Sequence, residues 1–524
     1  MINAAVSFSI SFLMKPLLLL SVLLSTATAD PIAIGSRREL FVDDFLIEKM
    51  TGKAEQRLHQ PQPREIAITH DAPWEGSGTG YHSVFKDGGK YRMYYKAWQL
   101  TVTAPGKVNT GEHPLFTCYA ESEDGIHWRK PELGLHEFKG SKANNIVLAP
   151  GKMGAANPDP GHIAIFKDDN PAAAADAKYK AIVRSESPKG LLALKSPDGL
   201  RWSPMSETPV ITDGAFDSQN LAFWDAQAGL YRAYWRYFTG GTTDEKNWKP
   251  SGFRAIRTAT SKDFVHWENQ QDLRYVDSPD EALYTNQVKP YARAPHLLLG
   301  FPTRYIERGW SESLKALPER EHREWRSKAS DRYGMVVTEG LFMSSRDGVT
   351  FKRWNEAFLP PGIERPGTWN YGHQYLAWHL VETKSSLEGA PDELSLYATE
   401  SYWTDRSSAL RRYTLRLDGF VSLHAPMSGG EVLTKPLTFT GHSLSMNFAS
   451  SAAGGVKVEI QDASGQPMPG FTLSDCEEHF GDSLARTVVW KSGHDVSSLA
   501  GKPVRLLFVL KDADVYSFRF EPER

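Results

Sequence analysis

The sequence predicts an all-β chain, a five-bladed β-propeller followed by a C-terminal β-sandwich, and three observations carry that expectation. A short turn motif is written four times, the copies are widely and comparably spaced, and the strand pattern changes near residue 425. The first copy is Ser122-Glu123-Asp124-Gly125-Ile126-His127-Trp128, and Ser196-Pro197-Asp198-Gly199-Leu200-Arg201-Trp202 repeats it. Ser261-Lys262-Asp263-Phe264-Val265-His266-Trp267 puts Phe where Gly stood, and Ser345-Arg346-Asp347-Gly348-Val349-Thr350-Phe351 ends on Phe. Asp-Gly between β-rich flanks marks a tight turn, because Gly supplies the positive φ the turn needs. Four copies mark a repeat architecture.

The closing aromatics Trp128, Trp202, Trp267 and Phe351 stand 74, 65 and 84 residues apart. Such spacing exceeds the ~40–45 residues of a compact propeller repeat. The blades therefore carry long loops, and loops on a rigid scaffold are where binding and catalysis concentrate. Lys and Arg number 60 against 63 Asp and Glu, a net charge of −3. That balance argues against a general binder of nucleic acid or anionic membranes. Fifteen Trp and twenty Tyr suit both blade cores and sugar-stacking surfaces.

In chain order, Lys15, the apolar run Leu17 to Leu24 and Ala27-Thr28-Ala29 read as an export signal over residues 1–29, hence a secreted or periplasmic protein. The run is too short to span a membrane. Residues 30–70 read as a lead-in to the propeller, with Glu39 to Ile47 as a strand or ring-closing segment. The propeller is expected over 30–424. Its first blade runs from Tyr81–Phe85 to the strand at Trp128, and its second from His162–Phe166 to Trp202. The third runs from Asn220–Trp224 to Trp267, and the fourth from Gln287–Tyr291 to Phe351. The fifth takes Gln374–Trp378, Leu394–Ala398, Arg411–Leu417 and Phe420–Leu423. Glu307 to Arg332 is the strong helical candidate, read as a surface insertion. Residues 425–524 show alternating strands with Gly, Pro and Asp turns, the sandwich signature. Cys118 and Cys476 are far apart, and a fold of this size needs no bridge between them.

A propeller gathers the loops before its innermost strands at one end of its axis. The polar residues so placed are Asp71, Trp74, Glu75 and His82, then Asp159 and His162. Asp217 and Asn220 follow, then Glu281 and Asn286, and finally Trp369 and His373. Each acid alone reads first as a turn residue. Convergence of acids from four blades points further, because glycoside hydrolysis needs two carboxylates across the scissile bond. Asp217 and Glu281 form the leading pair, with Glu75, Asp159 and Asp71 behind them. His82, His373, Arg236, Arg257 and Arg304 are expected to hydrogen-bond sugar hydroxyls or an anionic substituent, and Trp74 and Trp369 to stack on a sugar face.

The hairpins, the acids and the C-terminal β-domain together resemble glycoside hydrolase families 32 and 43. Leu40-Phe41-Val42-Asp43-Asp44, Pro73-Trp74-Glu75-Gly76, Tyr91-Arg92-Met93-Tyr94-Tyr95, Phe216-Asp217-Ser218-Gln219-Asn220, Leu283-Tyr284-Thr285-Asn286 and Leu410-Arg411-Arg412-Tyr413 look like exported bacterial proteins described as family 32-like. The Trp-x-Asn-Asp-Pro-Asn signature of family 32, an Arg-Asp-Pro motif and a Glu-Cys pair are absent. The resemblance implies base or nucleophile, modulator and acid on the first three blades, roughly Glu75 (or Asp71), Asp159 and Asp217, with Glu281 as a further acid. It also allows a structural calcium, although no ligand motif demands a metal. The expectation is a secreted, monomeric glycosidase acting on plant or algal glycans without a required cofactor. A non-catalytic carbohydrate-binding propeller and a polysaccharide lyase using His and Tyr are the alternatives.

Overall fold

The structure, a computed structural model, describes residue 1 and residues 30–244, 247–404 and 406–523. The expected export signal lies outside the described residues. Five antiparallel sheets form the blades of a propeller. The first has Gly80–Asp87 innermost, then Lys90–Ala97, Phe116–Ser122 and Ile146–Leu148. The second runs Pro158–Lys167, Tyr179–Glu186, Lys189–Ser196 and Ser203–Pro204. The third runs Leu221–Asp225, Leu230–Thr243, Trp248–Ser261 and Trp267–Asp272. The fourth runs Lys289–Tyr291, Ala294–Gly300, Met343–Ser345 and Thr350–Arg353, with Arg274–Val276 added in parallel at its outer edge. The fifth has Val381–Thr383, Glu393–Glu400 and Ala409–Leu415, and its outermost strand is Gln62–Thr69 from near the N-terminus.

Each blade is covered on both faces by its neighbours, so its middle strands read as nearly continuous apolar runs rather than alternating ones. Tyr179–Glu186 and Lys189–Ser196 bury nearly every residue. The repeated motif explains how neighbours lock together. The Asp124 carboxylate accepts from the backbone N–H groups of Ile126 and His127, both at 2.8 Å, while Ser122 Oγ accepts from Gly125 N at 2.9 Å. Asp198, Asp263 and Asp347 repeat this pattern. Each turn then offers a carbonyl or a ring to an adjacent blade. The Tyr397 hydroxyl donates to Gly125 O, Arg92 donates to Asp198 O at 2.8 Å, and the Tyr234 hydroxyl donates to Gly348 O at 2.9 Å. In the third blade Phe264 adopts φ +72°, close to the +74° of Gly125, and buries its ring against Phe166 of the second blade. A non-Gly residue there carries left-handed backbone strain, and packing of a fully buried ring opposes it.

Three expectations about the strands are corrected. In the first blade the segment at Trp128 makes only an isolated bridge, Glu121 to Arg129, and Ile146–Leu148 is the outer strand. The fifth blade does not end on Phe420–Leu423. Val421–Ala425 instead pairs with Glu55–Leu58 and with the last strand of the chain. Residues 30–70 are not simply a propeller lead-in, because Ile32–Gly35, Glu39–Leu40, Ile47–Gly52 and Glu55–Leu58 all join the C-terminal sheet. That sheet has ten strands and is organised by Ser443–Asp462 paired along Val504–Glu521. Its core takes Phe41 and Leu46 from the connection between two N-terminal strands, beside Phe448, Trp490, Phe508 and Phe518. The fully buried Asp418 ties the two domains: it accepts from Arg293 and Tyr291 of the fourth blade at 2.7 and 2.8 Å, and from Ser517 of the sheet at 2.8 Å.

The helical candidate forms three short helices, Glu312–Ala316, Arg320–Ser327 and Asp331–Met335. It is more than a surface insertion. Arg323 and Arg326 are buried, donating to Trp369 O at 2.9 Å and Trp403 O at 2.6 Å. The insertion is therefore wedged against the fifth blade. Cys118 and Cys476 are both buried and unpaired.

Candidate active site

Antiparallel pairing dictates what meets at each end of the axis. Where an inner strand begins, its partner strand ends in the first two blades, Gly80 facing Lys96 and Pro158 facing Ser185, while in the third Leu221 faces Tyr234 and the partner runs on to Thr243. The funnel at that end thus takes residues from both positions. Beneath it the axis is closed by two glutamines. Gln219 donates to Tyr81 O at 3.0 Å, and Gln287 donates to Gln219 Oε1 at 2.8 Å and Leu376 O at 2.6 Å. These bonds join the first, third, fourth and fifth blades.

The funnel wall is aromatic and cationic. The Tyr284 hydroxyl lies 3.5 Å from the hydroxyls of both Tyr81 and Tyr371, and its ring stacks on Tyr375 with centroids 5.4 Å apart. The Arg236 guanidinium lies 5.0 Å from the Tyr284 ring, and Arg254 lies 4.1 Å from the Tyr305 ring. Burial pushes the Tyr284 phenol up. The Arg236 charge, the hydroxyls of Tyr371 and Tyr81, and Arg254 outweigh burial and bring it down to about 8. Lys96, 4.2 Å from the Tyr81 ring and 4.6 Å from Trp98, is lowered to about 7 by burial, with Asp159 opposing.

Asp217 sits in this wall, half-exposed and paired with the buried Arg236. Its loop is held by Asn220, whose amide donates to Phe216 O and Ser218 O, both at 2.9 Å, and accepts from Arg236 N at 3.3 Å. Two cavities of about 390 and 380 Å³ share Asp217 and Trp248. Trp248, half-exposed, stands on the long hairpin of the third blade, which rises beyond the blade itself. Asp159 lies on the second-blade side, accepting from His162 at 2.7 Å and from Arg184 at 3.0 Å. Burial opposes its ionisation, but His162 and Arg184 hold the carboxyl well below the usual range.

The other expected residues are placed elsewhere. Glu281 is not beside Asp217: it pairs with Arg353 at 2.9 Å and Arg304 at 3.4 Å, and Arg304 is held at 2.8 Å by Glu339. Arg304 and Tyr305 are consecutive in one strand and face opposite ways, which puts Glu281 behind the funnel wall. Glu75 is buried, accepting from Tyr95 and Lys130, both at 2.6 Å. Burial raises its carboxyl, with Lys130 opposing. Asp71 is exposed on the far side of Lys130 at 3.0 Å. Trp74 donates to Asn145 at 2.7 Å within the first blade. His82 is buried 3.1 Å from His70. Asn286 acts on backbone, accepting from Val288 N at 3.3 Å. Arg257 is 2.6 Å from both Asp213 and Asp272, outside the funnel cluster. His373 accepts from Trp369 N at 2.9 Å, and burial lowers it to about 3. Trp369 donates to Gly362 O at 2.9 Å.

Sequence reasoning missed Lys96, Arg184, Arg254 and Tyr305, which come from second or third strands or the added hairpin rather than from inner-strand loops. A lysine closing the aromatic run Tyr91 to Tyr95 was the available signal. Among the described residues no three His, Cys, Asp or Glu are grouped so that they could hold a metal ion. No helix among them is long and apolar enough to cross a membrane.

No family model matches the chain, and no curated protein matches it. Among solved structures, a complex of BT0996 with RGII is similar at 14% identity and TM-score 0.40, covering 68% of this protein and 92% of that one. An N-acetylgalactosamine deacetylase from F. plautii in complex with blood group B trisaccharide gives 12% identity and TM-score 0.41, over 68% and 94%. The catalytic domain of a Coprinopsis cinerea GH62 α-L-arabinofuranosidase gives 8% identity and TM-score 0.40, over 68% and 99%. At these values the likeness assigns neither substrate nor site residues to this protein.

Proposed function

We propose that the funnel is the active cleft of an exported enzyme that hydrolyses glycosidic bonds of oligosaccharides. The observation that carries this reading is the position of Asp217 at the junction of two cavities, with Trp248 as a shared aromatic wall. One cavity takes the sugar on each side of the scissile bond, and Trp248 stacks on a sugar face. Hydrolysis needs an ionised group and a proton donor. Asp217, paired with the Arg236 guanidinium, is the ionised group. The donor is the Tyr284 phenol rather than Glu281, because Tyr284 lines the same cavity as Asp217 and Arg236 touches both. Asp159 holds His162 and Arg184 in place on the second-blade side. The sequence resemblance to families 32 and 43 and the export signal expected over residues 1–29 agree with this reading.

A second reading, β-elimination at an acidic sugar, is favoured by one observation: a phenol brought to about 8 beside two guanidinium groups could serve as base. Product analysis separates the two. A panel of neutral and acidic plant and algal oligosaccharides is incubated with the wild type, Asp217→Asn and Tyr284→Phe. Saturated reducing-end products, lost in Asp217→Asn, establish hydrolysis. Unsaturated products absorbing in the ultraviolet establish elimination. Binding without turnover across the panel would leave a carbohydrate-binding propeller and overturn both.

A further inference from the structure

The geometry points to an anionic substituent, a carboxylate or a sulfate, on the sugar that occupies the cavity between Asp217 and Tyr284. The assignment rests on the carbohydrate reading of the funnel and adds the substrate class. Three arginines, Arg236, Arg254 and Arg332, line this cavity of about 390 Å³, and Asp217 is the one carboxylate among its lining residues. Asp217 is committed to Arg236. Among the described residues, neither Arg254 nor Arg332 has a carboxylate within ion-pair distance. Their guanidinium groups rest on aromatic rings instead: Arg254 on Tyr305 at 4.1 Å and Phe238 at 5.3 Å, and Arg332 on Tyr333 at 4.8 Å, where one Arg332 N–H also donates to the Tyr333 hydroxyl at 3.5 Å.

Stacking on a ring face orients a guanidinium without using its N–H groups. The Nε atoms of Arg236 and Arg254 are buried and make no hydrogen bond to protein. A buried donor left unmade is costly, and a fork of such donors matches the oxygens of a carboxylate or sulfate. A neutral sugar would leave two cations uncompensated in an aromatic wall, whereas one anionic group bridging Arg254 and Arg332 supplies the missing charge.

Binding of three matched pairs to the full-length protein tests this by calorimetry: galacturonate and glucuronate oligosaccharides against their carboxyl-reduced forms, and a sulfated galactan oligosaccharide against its desulfated form. The expected result is at least tenfold tighter binding of the anionic member of one pair, with that preference falling to within twofold in Arg254→Ala. The pair that discriminates tells carboxylate from sulfate. In parallel, thermal melting with sodium acetate, sodium sulfate and sodium chloride at equal ionic strength is compared in the wild type and Arg254→Ala, with Arg254→Lys as a variant that keeps the charge. Neutral members binding as tightly as anionic ones would overturn the assignment and leave the carbohydrate reading standing. Acetate or sulfate protection that depends on Arg254, with no glycan bound, would keep the anion site and overturn the carbohydrate reading. No binding in any arm, or unchanged preference in a folded Arg254→Ala, overturns the assignment.

Discussion

Two clusters of buried charge in this propeller use similar parts to opposite ends. One contains Glu75, Tyr95 and Lys130; the other surrounds Asp217, Arg236 and Tyr284. In the first, Glu75 accepts from Tyr95, Lys130 and the backbone of Ala72, while Lys130 also donates to Thr69 O and Asp71. The side chains are closed on one another, and Glu75 is 1% exposed. In the second, guanidinium Nε atoms go unpartnered, the one carboxylate is half-exposed, and two cavities open beside it. A satisfied polar cluster is a strut. One that leaves donors unmade around an accessible space waits for a ligand.

Substitutions in the funnel should have the strongest consequences. Tyr284→Phe and Arg236→Ala should each lower kcat/KM by about 10²–10⁴-fold, the usual weight of acid–base assistance, with circular dichroism unchanged. Equal activity in Tyr284→Phe would remove it from the mechanism. On the strut side, Glu75→Ala should cost about 1–3 kcal/mol of stability by leaving the buried Tyr95 hydroxyl without its acceptor and taking one of three from Lys130, read as a lower urea midpoint. Specific activity of the folded fraction should hold; a loss comparable to that of Tyr284→Phe would mean the two clusters are not distinct.

The pH profile sharpens the funnel side further. With Tyr284 at about 8, a proton donor is competent below that value, so activity should fall as pH rises through about 8. If Tyr284 acts as a base, the same titration makes activity rise through about 8 instead. Either limb should vanish from the residual activity of Tyr284→Phe. The smallest effect belongs to a site outside both clusters. Asp198→Ala removes an acceptor shared by the N–H groups of Leu200 and Arg201 at 2.8 and 2.9 Å, and should cost about 1 kcal/mol with activity unchanged. A large activity loss there would show that the turns tune the funnel.

The blades were legible because their turns are local. Ser122, Asp124 and Gly125 are tied to one another within a few residues, and even Phe264 could be placed in a positive-φ site by its position in the repeat. The position of Asp217 beside the funnel cavities was legible for the same reason, since it stands in the loop before an inner strand. What could not be read was pairing across the chain. Nothing in Gln62–Thr69 names Ala409–Leu415 as its partner, and nothing in Val421–Ala425 refuses the fifth blade. Glu281 was misplaced for a subtler reason. It precedes Tyr284 by three residues, but the alternation that turns Tyr305 into the funnel turns its neighbour Arg304, and Glu281 with it, away.

The fifth blade's outer strand comes from the N-terminal part of the chain, and the C-terminal sheet takes four more strands from the same region. His70 and Ser408, separated by 338 residues, are hydrogen-bond partners at that seam. A ribosome releasing this chain would therefore have made most of it before the ring could close, with the edge of Ala409–Leu415 still unwritten and Gln62–Thr69 still unpaired. Long-range pairings of this kind slow folding and leave open sheet edges exposed meanwhile. Dissection into halves fails for the same reason: a fragment ending at residue 424 would carry five of the ten strands of that sheet, Val421–Ala425 short of its last residue among them, cut off from the other five.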